Sequence, residues 1–297
     1  MIIERQEQVT EAVLEVMRQT RDPRLREIMV SLVTHLHSFI REARLTEEEF
    51  RKATAILNEI GKLTSDTHNE AVLMAGSLGV SSLVCLLNNG NDGTTETTQN
   101  LLGPFWRLNS PRVEDGGSIL RSGTPGDPMF VTFTLVDRAG QPVAGAEVDI
   151  WHSSPTGLYE NQDPEQADMN LRGKFITDPD GRIRFRSVRP AGYPIPTDGV
   201  VGRLLAAQDR HPYRPAHVHC LAFKQGFKTL ITQIYADDDP RLESDVQFGV
   251  TRATTSHFAR HDEPHPDDPA IVCPWYSLDH TLVMEPGVAT LPQPPIR

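Results

Sequence analysis

The chain has 297 residues, 38% of them hydrophobic and 23% charged, with a formal net charge of −11. That is globular composition with material for one large core or two domains. The acidic balance argues against nucleic acid as a general partner, because phosphate binding needs a basic face. No run of 18 apolar residues is present to span a membrane, the start MIIERQEQVT lacks the pattern of a signal peptide, and Cys85, Cys220 and Cys273 lie too far apart for a CxxC site, all of which fits a reducing cytoplasm.

Residues 1–90 read as helices. In RDPRLREIMVSLVTHLHSFIREA, Asp22 is placed to cap and Pro23 sits in the first turn, where a missing N–H costs nothing. Ile28, Leu32, Leu36 and Ile40 follow at a spacing of four and make one apolar stripe. LTEEEFRKATAILNEIGKL opens with Thr46 and Glu49 in a capping-box pattern, and THNEAVLMAGSLGVSSLVCLLNNG repeats it with Thr67 and Glu70. The latter segment is apolar nearly all round and stops at Asn88-Asn89-Gly90, so a single buried helix is expected. The loop-like NDGTTETTQN comes next, and beyond it the period changes to two. FVTFTLVD, GAEVDIW and RIRFRSV read as strands, the last with arginines on one face and Ile183 and Phe185 on the other. AHVHCLAF and TLITQIY flank KQGF as a hairpin. Nearly all the prolines lie beyond residue 100, and from about Asp262 the chain reads as an extended wrap. The fold class is α+β: helices over 1–100, then a mainly antiparallel β-sandwich over 101–297.

On a strand, side chains two apart share a face, so His217 and His219 in RPAHVH can reach one metal ion while Cys220 faces the other way. By itself the pattern is weak, and the plainer reading is two half-exposed histidines on an edge strand. Tyr159 in GLYENQ, and Tyr193 held among Pro190, Pro194 and Pro196, are suited to a chemical task or to simple packing. His257, His261 and His265 in SHFARHDEPH recur every four residues, but Pro264 and Pro266 break any helix there, and the segment reads as a solvated face rather than a zinc cluster. No phosphate loop or HExxH is present, and HSSPTG is not a nucleophile elbow, so Ser153 and Ser154 take no catalytic role.

The motif order GLY…DMNLRGKFITDPDG…RPAGYPIPTDG…RPAHVH…TLITQIY resembles the intradiol ring-cleaving dioxygenases, in their catechol and hydroxyquinol 1,2-dioxygenase branch. The resemblance implies a non-haem Fe(III) ion held by Tyr159, Tyr193, His217 and His219, with Tyr193 released on substrate binding to act as a base. It implies Arg214 as a fixed cation beside the substrate ring and Gln233 as a polar partner behind the ligands. It gives a pocket walled by Leu73, Gly76, Leu101, Leu102, Gly103, Pro104, Ile195, Pro196 and Val250, with LLGPFW as the entry to the substrate cap. The substrates are then a small aromatic diol and O2, and the partner is a second copy of the chain, joined through the N-terminal helices around a tunnel that can hold a lipid. YPIPTDG and DVQFGV look most like the hydroxyquinol members. Those members tend to carry an acid where this chain has Gly76, which leaves catechol or a substituted catechol as the alternative. Two readings of other classes stand beside it: a non-catalytic β-sandwich binding protein, and a zinc hydrolase using the SHFARHDEPH histidines.

Overall fold

The computed structural model describes residues 2–65, 68–89, 97–268, 270–271 and 274–294. They form two compact units, Met1–Glu59 and Ile60–Arg297.

The first unit contains α1 (Gln6–Met17), α2 (Pro23–Ala43) and most of α3 (Glu47–Leu63). Asp22 caps α2 by accepting from the backbone of Arg24 and Leu25, and Pro23 occupies the first turn. Thr46 and Glu49 form the reciprocal capping box of α3, with the Thr46 backbone donating to Glu49 at 2.8 Å and the Glu49 backbone donating to Thr46 at 3.3 Å. α1 lies against α2, where Thr10 meets His37 and accepts from Arg41. The stripe on α2 is regular and bare: Ile28, Leu32, Leu36 and Ile40 are 47%, 53%, 47% and 37% exposed.

The second unit begins with α4 (Glu70–Ser77) and α5 (Val80–Asn89), two helices where one was expected. They meet at a 77° bend at Leu78-Gly79, where Gly79 takes a positive φ of 72° that an L side chain resists. Nor is the segment buried throughout, since Leu83, Val84 and Leu87 of α5 are exposed. Thr67 and Gly90 lie outside the described residues. The cap of α4 is Asn69, whose side chain accepts from Val72. Glu70 is instead fully buried, and it accepts from the backbone of Val201 at the start of α6 (Val200–Ala207). Leu73 and Met74 pack on Ile195, Val201, Leu205 and Val246. This packing places α4 in the same compact unit as the sandwich.

The sandwich has two main sheets. One runs β10 (Phe258–His261), β11 (Trp275–Met284), β1 (Pro128–Asp137), β4 (Arg182–Val188). The other runs β3 (Arg172–Ile176), β2 (Glu147–Trp151), β7 (His217–Phe223), β8 (Leu230–Ala236), β9 (Thr255–Ser256). A short ribbon pairs β5 (Tyr193–Pro194) with β6 (Tyr213–Arg214). Pairing is antiparallel except between β1 and β11 and between β8 and β9. The core between the sheets holds Phe133, Phe185, Ile150, Val218, Ile234 and Leu278, all at most 2% exposed. β4 alternates as read, with Ile183 and Phe185 inside and Arg182, Arg184 and Arg186 outside. The C-terminal stretch is not simply a wrap. Its residues 275–284 form a full strand between β10 and β1, with Leu278, Leu282 and Met284 in the core. Its prolines flank that strand, which hides the apolar run among breaker residues. Among the described residues no single helix is long and apolar enough to cross a membrane.

Candidate active site

β7 has two different faces. Val218, Cys220 and Ala222 enter the core between the sheets, while His217, His219 and Leu221 emerge on the outer side. There the register sets His219 between Trp151 on β2 and Gln233 on β8. The Trp151 indole stacks on the His219 ring with centroids 4.6 Å apart.

Loops bring the tyrosines to this row. Tyr159 lies in the loop after β2 and stacks on Phe105, at 4.4 Å, from the segment that covers the site. Gly157 has φ +83°, and a Cβ there would come within 3.0 Å of the Tyr193 Cβ, so the glycine of GLY is what lets the two tyrosines approach. Tyr193 begins β5 and is paired in register with Arg214 on β6. Gly103 in LLGPF reaches the His219 ring so closely that a Cβ would stand 3.2 Å from its Cε1.

Four donor atoms therefore converge. The Tyr159 and Tyr193 oxygens are 3.3 Å apart, Tyr193 Oη is 3.5 Å from His217 Nε2, and His217 Nε2 is 3.2 Å from His219 Nε2. His217 Nδ1 donates to the Pro215 carbonyl at 2.7 Å, which leaves Nε2 as a bare lone pair facing its neighbour. Burial, with the Arg214 charge adding to it, pushes the His217 imidazole down to about 3, and burial also holds His219 well below the usual histidine range. Both rings are thus neutral and aim nitrogens at one point, an arrangement that a cation would satisfy. Burial pushes both phenols up in the absence of such a cation, while Arg214 pulls Tyr193 back down. Two imidazoles and two phenols around one buried point fit a hard, highly charged metal ion, which binds phenolate oxygen and lowers the pKa of the phenol.

A polar network backs the donors. Arg214 forms a two-pronged pair with Asp245, Nε to Oδ1 and Nη2 to Oδ2, both at 3.1 Å, and Nη2 also donates to the Tyr235 hydroxyl at 2.7 Å. Tyr235 donates to Gln233 Oε1 at 2.6 Å, and Gln233 Nε2 donates to the Leu101 carbonyl at 2.7 Å. Gln233 therefore ties the covering segment to the sheet and does not hold a histidine nitrogen. His217 uses the Pro215 carbonyl, and His219 Nδ1 has no protein partner among the described residues. Tyr235 and Asp245 were not singled out from the sequence. Tyr235 lies two residues beyond Gln233 on the same strand face, and Asp245 stands in the DVQFGV stretch, so a period-two reading around Gln233 would have found the first.

The expected wall residues divide. Leu101, Leu102 and Gly103 lie against the donors or their partners. Leu73 and Ile195 belong to the separate apolar cluster around α6, and Pro104 and Pro196 are exposed. Val250 is half-buried and follows Gly249, where a Cβ would meet Tyr235 and Arg214. At Gly76 the Gln247 side-chain amide occupies the space that a Cβ would need. The SHFARHDEPH histidines do not cluster on a metal site. His257 faces Asp237, His261 stacks on Trp275 at 3.8 Å, and His265 stacks on Phe130 at 4.2 Å. Two of the three thus pack on aromatic rings, where a solvated face was expected. Among the described residues no group of three or more His, Cys, Asp or Glu could hold a metal ion.

The pattern of the family described as "Dioxygenase" matches residues 102–268, and that of "Catechol dioxygenase N terminus" matches residues 22–96. The chain belongs to the intradiol ring-cleavage dioxygenases. A hydroxyquinol 1,2-dioxygenase of a Rhizobium species is 41% identical over 94% of this chain and 95% of its own length. A catechol 1,2-dioxygenase of Candida albicans is 37% identical over 87% and 86%. Among solved structures, a hydroxyquinol 1,2-dioxygenase from Pseudomonas putida superposes with a TM-score of 0.86 at 34% identity, covering 95% of this chain and 99% of that one. An intradiol dioxygenase is an enzyme, which sets aside the binding-module reading.

Proposed function

We propose that this dioxygenase cleaves hydroxyquinol (1,2,4-trihydroxybenzene) between its adjacent hydroxyls, adding both atoms of O2 to give 3-hydroxy-cis,cis-muconate or its tautomer maleylacetate. The observation that carries the reading is the convergence of Tyr159, Tyr193, His217 and His219 on one buried point. These four side chains would hold a ferric ion. Such an ion, when bound, would withdraw electron density from a catecholate and make its ring reactive toward O2.

The remaining work falls to the chain. Of the two phenols in the quartet, Tyr193 is the one on which the Arg214 charge acts more strongly, so it is the tyrosine best able to leave as an anion and take a substrate hydroxyl proton at its Oη. Arg214, fixed and buried, would stabilise negative charge that develops in the ring. Phe105, Trp106 and Trp151 pack about the site and keep bulk water from it.

The substrate choice is supported by the relatives named hydroxyquinol 1,2-dioxygenase. The second reading, catechol or a substituted catechol, is favoured by Gly76. Gly76 brings no carboxylate to accept from a third ring hydroxyl, and the Gln247 amide fills the space beside it. A homodimer formed through the N-terminal helices would cover the bare stripe of α2, and a lipid chain would suit the same apolar surface.

Oxygen-electrode traces test the reading. Purified protein should contain iron, absorb visible light through tyrosinate-to-iron charge transfer, and consume O2 with a higher kcat/KM for 1,2,4-trihydroxybenzene than for catechol. Greater efficiency with catechol transfers the assignment to the second reading, and the absence of O2 uptake with either overturns both. His219→Ala should lose the iron and the colour, with activity falling by about a hundredfold or more; full iron and full activity in that variant would show a misread ligand set.

A further inference from the structure

Arg214 is gripped on two sides by side chains to which the proposed reaction gives no part. Asp245 takes its Nε and Nη2 in a two-pronged pair, a geometry that fixes the rotation of the guanidinium plane as well as its position. Asp245 is itself fixed by backbone: Oδ1 accepts from Gln247 at 3.2 Å and Oδ2 from Gly249 at 2.9 Å, within a tight turn where Phe248 adopts φ 54°. Burial works against both charges, yet their mutual attraction prevails, holding the Asp245 carboxyl below the usual range and the Arg214 guanidinium well above its own. On the other side, the Tyr235 oxygen accepts from Arg214 at 2.7 Å and from Asn100 Nδ2 at 3.2 Å while donating to Gln233. Arg214, Tyr235, Gln233 and Asp245 are all at most 5% exposed. An arginine has many rotamers, and a charge that must meet a reacting ring is effective only where its place is set beforehand.

We infer that Asp245 and Tyr235 are positioning residues that act through Arg214, holding its guanidinium in one place beside Tyr193 and the paired histidines. The inference rests on the ring-cleavage reaction proposed above. A purely structural alternative is available, because Asp245 also caps its own turn, and the experiment must separate the two. Asp245→Asn keeps the side-chain shape but replaces one accepting oxygen with an NH2 group that donates and cannot accept. Tyr235→Phe removes a single oxygen and leaves the ring.

The test is a double-mutant cycle on iron-loaded protein, with the two single variants, Arg214→Gln, and each combined with Arg214→Gln. Asp245→Asn and Tyr235→Phe should keep the iron content and the visible charge-transfer band of the wild type. Each should lower kcat about 10- to 100-fold with a much smaller change in KM, the mark of an interaction made in the transition state. In the Arg214→Gln background the same changes should cost no more than about twofold. Equal losses in both backgrounds, wild-type kcat in the single variants, or loss of iron would overturn the positioning role. Should Asp245→Asn fail to fold, Tyr235→Phe carries the cycle alone. Wild-type protein that holds no iron or consumes no O2 removes the reaction itself, whereas wild-type turnover with additive losses removes only this inference.

Discussion

The outer face of β7 and the apolar face of α2 are built by the same device, a repeat that brings chosen side chains to one side, and they end in opposite states. On β7 the period of two sends Val218, Cys220 and Ala222 into the sandwich, and it sends His217 and His219 into a site that is itself roofed by Leu102 and Phe105. On α2 the period of four gathers Ile28, Leu32, Leu36 and Ile40, and in the single chain they stay bare. Periodicity therefore tells which side chains act together and is silent about what covers them. The sandwich supplies its own cover from loops of the same unit. The helix offers a surface whose partner is a different molecule under the homodimer reading.

Core truncation should give the largest contrast between the two faces. Phe185→Ala removes a ring that packs on Phe133 and Phe175, and it should lower unfolding free energy by about 3–5 kcal/mol in urea titration. A loss under about 1 kcal/mol would mean that the sandwich core is looser than its packing indicates.

The pH response of the buried side is next in size. Burial pushes His152, which lies between Ser153 and Ser187, down to about 4. The unfolded chain takes up a proton near pH 6.5, and the folded one does so only near pH 4. Stability from this group is complete above pH 6.5 and is lost as pH falls toward 4, at up to ~1.4 kcal/mol per pH unit. His152→Gln should flatten that slope in urea midpoints measured between pH 6.5 and 4, and an unchanged slope would assign it to other groups.

The smallest effect on folding should come from the bare face. Leu32→Asp should leave the denaturant-induced unfolding of the sandwich within about 0.5 kcal/mol of wild type. In sedimentation velocity it should shift the two-chain species to one chain. A wild-type protein that sediments as one chain at all concentrations would leave the α2 stripe without the proposed partner.

Much of this molecule is legible in its sequence because local chemistry agrees with the final fold. Asp22 with Pro23, Thr46 with Glu49, the alternation in RIRFRSV and the hairpin around KQGF all state their structure within ten residues or so. The readings that needed correction depend on distant partners. Glu70 looks like a capping-box acid, but it caps α6, 131 residues away. Gly79 looks tolerable in a long apolar helix, but it is the site of a 77° bend. Gln233 looks suited to hold a histidine, yet its bonds go to Tyr235 and Leu101. In the site, the two histidines are readable from spacing alone. Tyr159 comes from a loop and Tyr193, 34 residues on, from the short strand β5, and only the motif order joins them to the histidines. Asp245 gave no local signal, because its role is set by an arginine on another strand.

The place of β11 has a consequence for how the protein is made. Residues 275–284 lie between β10 and β1, in register with a strand that the ribosome releases nearly 150 residues earlier. Until the last part of the chain emerges, β1 keeps one edge unpaired and one half of the sandwich keeps its apolar interior open. Helices α1 and α2 pack on each other and can form during synthesis, but β1 must wait for β11 to complete its sheet. A nascent chain arrested before Trp275 is therefore a natural client for chaperones, and truncation there removes a core strand rather than a tail.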